Sequence, residues 1–95
     1  MSDFRLKVFL SVAKNLSFTK ASQELFVSQP AITKHIQELE TCYQVRLFDR
    51  QGNKISLTEA GKLLQEHSEK ILEDYKRLEY EMHLLPSTTY GATIA

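Results

Sequence analysis

The segment Phe26-Val27-Ser28-Gln29-Pro30-Ala31-Ile32-Thr33-Lys34-His35-Ile36 limits the fold more than any other part of this chain. Ser28 or Gln29 offers a side-chain oxygen at a helix start. Pro30 falls in the first turn, where its missing N–H removes no hydrogen bond. Ile32, Ile36, Leu39 and Tyr43 recur at 4-3-4 spacing and predict one buried stripe. Gln29, Thr33, Lys34 and Gln37 lie on other sides of the same helix and are small, polar or singly basic. Such a helix rests on its own core along one side and offers the other side to a hydrophilic partner. Phe26-Val27-Ser28 predicts a tight turn in front of it.

The flanking sequence supplies the supports. A first helix is predicted from Asp3 to Lys14, with Leu6, Phe9, Ala13 and Leu16 on one face, Val12 flanking them and Asn15 as the stop. Asp3 suits the positive end of the helix dipole. Ser17 caps a short second helix, Phe18 to Leu25, whose inward residues are Phe18, Ala21 and Leu25. After Tyr43 the period changes. Val45 to Arg50 and Lys54 to Leu57 flank Gln51-Gly52-Asn53 and predict a small β-hairpin.

Thr58, with Glu59 in the first turn, opens a last helix. Leu64, Ile71, Leu78 and Leu85 interleave with Ser68, Tyr75 and Met82 at heptad spacing. From Thr58 to Leu85 this helix would run ~42 Å at ~1.5 Å per residue. Ala60 and Leu63 are expected to pack back on the domain. Ile71, Tyr75, Leu78, Met82 and Leu85 are too far away to do so. The seam from Leu64 to Leu85 therefore predicts pairing with a second copy. Pro86-Ser87-Thr88-Thr89 reads as a linker, and Gly91 to Ala95 as the opening of a strand.

Ninety-five residues allow one compact domain with a small core. Lys plus Arg balances Asp plus Glu at twelve each, but not evenly along the chain. Residues 1–58 carry eight basic against five acidic side chains, and residues 59–95 carry four against seven. A mildly basic head thus precedes an acidic tail. Cys42 is the only cysteine, so no intrachain disulfide is available. No secretory signal, no apolar run near the ~20 residues of a membrane span, and no internal repeat are seen. A cytoplasmic protein without a membrane partner is the expectation.

Enzyme chemistry finds no support. His35 and Cys42 would be ~10.5 Å apart along one helix, and His67 and His83 lie far along another. No Gly-rich phosphate loop, metal-ligand cluster or nucleophile–base set is present. No catalytic residue, metal ligand or cofactor is predicted, and Cys42 is read as a small, partly buried side chain.

The order of helix, helix-turn-helix, hairpin and long helix predicts a mainly α winged helix-turn-helix fold with a long C-terminal linker and dimerisation helix. Residues 1–57 are expected to form the winged helix-turn-helix unit, 58–85 the linker and dimerisation helix, and 86–95 a hinge and the start of a further domain. The stretch Ser17-Phe18-Thr19-Lys20-Ala21-Ser22, with Leu25 and Val27-Ser28-Gln29-Pro30-Ala31, resembles the N-terminal domain of the LysR-type transcriptional regulators. Ile36, Leu39-Glu40, Leu47-Phe48, Arg50 and Leu57-Thr58-Glu59-Ala60-Gly61 extend the resemblance over about residues 3–85. Two positions depart from it. Tyr43-Gln44 replaces the usual Leu-Gly, so Gln44 must take a left-handed conformation or the helix must end differently. Asn53 stands where the wing often carries Arg, which leaves Lys54 as the basic tip.

Chemistry and resemblance point to the same contacts. Gln29 and Thr33 can donate and accept at base edges, and Lys34 can reach guanine O6/N7 or a phosphate. Pro30 and Ala31 can meet a thymine methyl group, and Gln37 lies on the same side. Ser17, Thr19 and Ser28 stand at helix starts, where N–H groups favour a phosphate as well as a simple cap. Arg50 and Lys54 flank the hairpin turn and can reach backbone or minor groove. The resemblance implies a homodimer, with tetramers open to the intact regulator, on promoter DNA. It also implies a separate effector-binding domain beyond Gly91, so that this stretch would itself bind no small-molecule effector. The competing reading is a protein-interaction module on the same scaffold, favoured only by the neutral total charge.

Overall fold

Three hydroxyl caps set where helices begin. Ser17 Oγ accepts from the Lys20 N–H at 3.1 Å, Ser28 Oγ from the Ala31 N–H at 3.2 Å, and Thr58 Oγ1 from the Gly61 N–H at 3.0 Å. Each such cap is worth about 1 kcal/mol. The computed structural model describes residues 3–86. Helices α1 (Asp3–Asn15), α2 (Phe18–Leu25) and α3 (Gln29–Tyr43) precede strands β1 (Phe48–Gln51) and β2 (Lys54–Leu57) and helix α4 (Glu59–His83). The segments expected over 87–95 lie outside the described residues.

The first three helices end without glycine. Leu16, Phe26 and Gln44 take positive φ values of 48°, 56° and 54°, a region that costs a residue with a Cβ about 1–2 kcal/mol. Their N–H groups bond back to the Val12, Ser22 and Glu40 carbonyls. Gln44 thus accepts the strain that a glycine would have avoided. The left-handed turn also takes Leu16 off the predicted apolar face, leaving it 45% exposed. Asn15, the expected stop, is the last helical residue, and its side-chain amide donates to the Ser11 carbonyl at 2.8 Å.

The core is built from Val8, Phe9 and Val12 of α1, Phe18 and Ala21 of α2, Ile32, Ile36 and Leu39 of α3, and Leu47 and Phe48 of the hairpin limb. Val12, expected at the margin, is fully buried, as is Ala21 between crossing helices. Tyr43 breaks the predicted α3 stripe. It sits in the last turn, 46% exposed, beside Val45, Leu63 and Ile71 on the outside of the domain. Away from the polar face of α3, Arg5 Nε meets Glu38 Oε1 at 3.3 Å and ties α1 to α3. Glu24 ties α2 to α1. The Ser11 hydroxyl donates to it at 2.9 Å and the Lys14 ammonium at 3.2 Å, and these two contacts lower its carboxyl pKa.

The hairpin is shorter than expected. Val45 does not enter β1, because the chain reverses at Gln44 and the available N–H groups turn to Glu40. Val45 N–H bonds to the Glu40 carbonyl at 3.1 Å, and Leu47 N–H to its carboxylate at 2.8 Å. Pairing then runs antiparallel with Phe48 opposite Leu57, Arg50 opposite Ile55 and Gln51 opposite Lys54. Gly52, at φ 60°, forms the turn.

Helix α4 packs its first turns against the core through Gly61, Leu64 and Ser68. Leu64, not Leu63, faces inward. Leu63 was expected to pack back with Ala60, but one residue is ~100° of helix rotation, and it is 58% exposed. At Gly61 a Cβ would overlap the Leu47 carbonyl and crowd the Leu57 side chain. Leu72, half-buried, still lines a cleft with Leu10 and Leu25, and past Lys76 the helix runs clear of the domain, so the molecule measures 61 × 25 × 20 Å.

Two substitutions test these constraints by chemical denaturation. Gln44→Gly relieves the left-handed strain and should raise the unfolding free energy by about 1 kcal/mol. Gly61→Ala meets backbone rather than a yielding side chain and should lower it by about 3 kcal/mol.

Candidate nucleic-acid interface

Because Ile32, Ile36 and Leu39 are buried, the opposite side of α3 faces outward. The structure brings Gln29, Pro30, Thr33, Lys34 and Gln37 together along one shallow, open surface with no carboxylate among them. Ala31 is half-buried at its edge. The Thr19 hydroxyl lies 3.2 Å from Gln29 Oε1 and donates to it. That contact fixes the start of α2 against the start of α3 and leaves the Gln29 amide hydrogens free to donate outward. Thr19 and Ser28 are exposed beside this surface, and Ser17 is half-buried. The hydroxyls of Ser17 and Ser28 are engaged as caps.

The two basic residues of the hairpin separate. Lys54 is exposed at the tip, opposite Gln51. Arg50, also exposed, shares a face with Phe48, two residues earlier, and its guanidinium lies 4.8 Å from the centroid of the Phe18 ring. Beside it is a cleft lined by Phe18, Thr33, Gln37, Arg46 and Phe48. Sequence reasoning overlooked Arg46 because it placed that residue inside a strand. The irregular path after Gln44 brings it to this cleft. The Arg50–Phe18 contact joins residues far apart in the chain and left no local pattern to find.

The seam of α4 divides. Leu64 and Ser68 turn into the core, whereas Ile71, Tyr75, Leu78, Met82 and Leu85 are 46–59% exposed. Tyr43, Val45 and Leu63 continue this apolar surface onto the body of the domain.

Among the described residues no group of three or more His, Cys, Asp or Glu side chains could hold a metal ion. Cys42, expected to be partly buried, is an exposed free thiol. Its place in the last turn of α3, next to Tyr43, carries it past the core. The His35 ring stands edge-on to Phe4, with centroids 5.4 Å apart, well away from Cys42 in sequence and role. No helix among the described residues is long and apolar enough to cross a membrane.

Three helices with α2–α3 as the helix-turn-helix and a two-stranded wing define a winged helix-turn-helix domain. The family model of bacterial regulatory helix-turn-helix proteins of the lysR family matches residues 4–62, and the chain belongs to that family. It is 46% identical over 68 residues to a probable RuBisCO transcriptional regulator of Trieres chinensis, covering 72% of this chain and 22% of that protein. It is 38% identical over 82 residues to the HTH-type transcriptional regulator CitR of Bacillus subtilis strain 168, covering 85% and 28%. The chain therefore spans about a quarter of the length of these relatives.

Two solved structures share the fold closely. The CbnR_DBD–DNA complex matches with TM-score 0.83 and 36% identity over 88% of this chain and 97% of that one. The BenM_DBD/catB site 1 DNA complex matches with TM-score 0.87 and 26% identity over 92% and 98%.

Proposed function

We propose that this chain binds double-stranded promoter DNA sequence-specifically, as the DNA-binding domain of a LysR-type transcriptional regulator. Helix α3 enters the major groove and the hairpin lies on the backbone or minor groove. The observation that carries the reading is the outward side of α3, where Gln29, Thr33, Lys34 and Gln37 are brought together without a carboxylate. Two relatives of the same fold are in complexes with DNA.

Thr33, Gln29 and Gln37 read base edges, Lys34 a guanine or a phosphate, and Pro30 and Ala31 a thymine methyl. Ser17, Thr19 and Ser28 hold the flanking backbone, as do Arg50 and Lys54 from the wing. Residues 1–57 do the reading, 58–85 pair two copies, and 86–95 lead toward an effector-binding domain. The chain works without catalysis, cofactor or effector of its own, in the cytoplasm.

The exposed stripe Ile71, Tyr75, Leu78, Met82 and Leu85 is too large an apolar surface to leave in water. A second copy covers it. Leu64, facing the core, supports that pairing from within. A two-fold axis then presents two α3 helices to successive major grooves ~34 Å apart, or a multiple, and implies a partly palindromic site.

Titration with duplex DNA at two salt concentrations should show a steep loss of affinity with salt, because displaced counterions drive association. A flat response would point to a protein-interaction module instead. Lys34→Ala should weaken binding to a selected site by about 1–3 kcal/mol and random duplex by less. Equal losses would reduce Lys34 to a phosphate contact. Leu78→Glu should sediment as a monomer, and a persistent dimer would exclude the distal stripe as the pairing surface.

A further inference from the structure

We infer that a phosphate-binding cleft lies between α3 and β1, with Arg46 and Arg50 as its cations, and that Phe18 is a positioning residue holding Arg50 in it. The inference rests on the DNA-binding reading and adds to it a site with its own parts.

Phe18 is the floor. Its ring is 8% exposed and meets Phe48 edge-on at 6.1 Å, and Phe48 in turn meets Phe9 at 5.5 Å. This row of rings runs from the buried centre of α1 through the base of the wing to the start of α2, so the outermost ring, Phe18, cannot shift without disturbing the core. Its remaining accessible side faces the Arg50 guanidinium at 4.8 Å. A flat cation over a ring face is attracted by the ring quadrupole, and more strongly where water is partly excluded. Arg50 also stands opposite Ile55 in the hairpin. Its backbone is thus fixed by β pairing and its head by the ring.

The charge held there is unspent. Among the described residues neither Arg46 nor Arg50 has a carboxylate ion-pair partner. The one carboxylate lining the cleft, Glu40, accepts the Leu47 N–H. The Arg46 backbone is itself anchored, because its carbonyl accepts from Thr58 Oγ1 at 2.5 Å. The cleft opens beside Thr33 and Gln37, the side chains proposed to read base edges. An anionic group following the groove wall past those residues meets two guanidiniums. The group of that charge in a duplex is the backbone phosphate, which guanidinium binds through paired N–H donors.

The test measures affinity of the protein for a short random-sequence duplex over a salt series. Arg46→Ala and Arg50→Ala should each reduce the slope of log K against log salt by about 0.9, the change for one lost phosphate contact. A slope left unchanged by either substitution overturns the two-cation cleft. Phe18→Leu should weaken binding about threefold when Arg50 is present and leave it unchanged when Arg50 is Ala. Equal weakening in both backgrounds would mean that Phe18 acts only through the fold. Arg50→Lys keeps the charge but loses the flat stack, and should weaken binding with the slope retained. This arm decides the role of the ring if thermal melting shows Phe18→Leu unfolded, and binding equal to that of the unsubstituted protein would overturn it. If the unsubstituted protein shows no salt-dependent binding, it is the DNA reading itself that fails.

Discussion

The backbone of one residue, Leu47, joins α3, the wing and α4. The N–H of Leu47 donates to the Glu40 carboxylate of α3 at 2.8 Å, and its carbonyl accepts the Thr58 N–H at 3.1 Å. Gly61 lies against the same carbonyl with no room for a Cβ. The Leu47 side chain is 1% exposed in the core. The end of the outward-facing helix, the base of the wing and the root of α4 are therefore fixed to one another within a few ångströms. A buried N–H and C=O in an irregular stretch must find partners somewhere. Here those partners set the angle between α3 and the hairpin.

What the sequence made legible was local. Ser17, Ser28 and Thr58 announced the helix starts because a hydroxyl cap and the turn it serves lie three residues apart. Ile32, Ile36 and Leu39 announced the inner face of α3 by spacing alone. The errors cluster where a tertiary position, not a period, decides. Tyr43 fits the stripe by number but lies beyond the core. Leu16 fits its face until a left-handed residue turns the chain. Val45 is apolar in a strand-like run, yet its N–H is claimed by Glu40. Leu63 and Leu64 are neighbours that only the docked angle of α4 can tell apart. The outward set on α3 was recognisable as polar and basic. The placement of Arg46 and the ring beneath Arg50 depended on a loop path that no short pattern encodes.

The outward side of α3 and the core side are two readings of one helix, and their separation has a simple physical basis. Apolar residues at 4-3 spacing leave the remaining positions free of packing demands. Polar side chains there carry no folding cost and can be chosen for what they touch. Of the carboxylates of α3, Glu38 is drawn away from that side toward Arg5, and Glu40, at the neighbouring cleft, accepts the Leu47 N–H. The surface left behind suits an anionic partner although the chain as a whole is neutral.

Helix α4 is rooted in the domain through Gly61, Leu64, Ser68 and the half-buried Leu72, and its stripe from Ile71 to Leu85 is bare. It contains no proline and no glycine past Gly61, and so no built-in joint. Two molecules clasped by their bare halves would behave as a fixed caliper, the gap between its jaws set by the count of residues along the shaft. Adding or deleting one residue near Ser68 would slide each jaw by ~1.5 Å and swivel it by ~100°. In such a pair, length and phase of the shaft would be as tightly constrained as any side chain at the jaws.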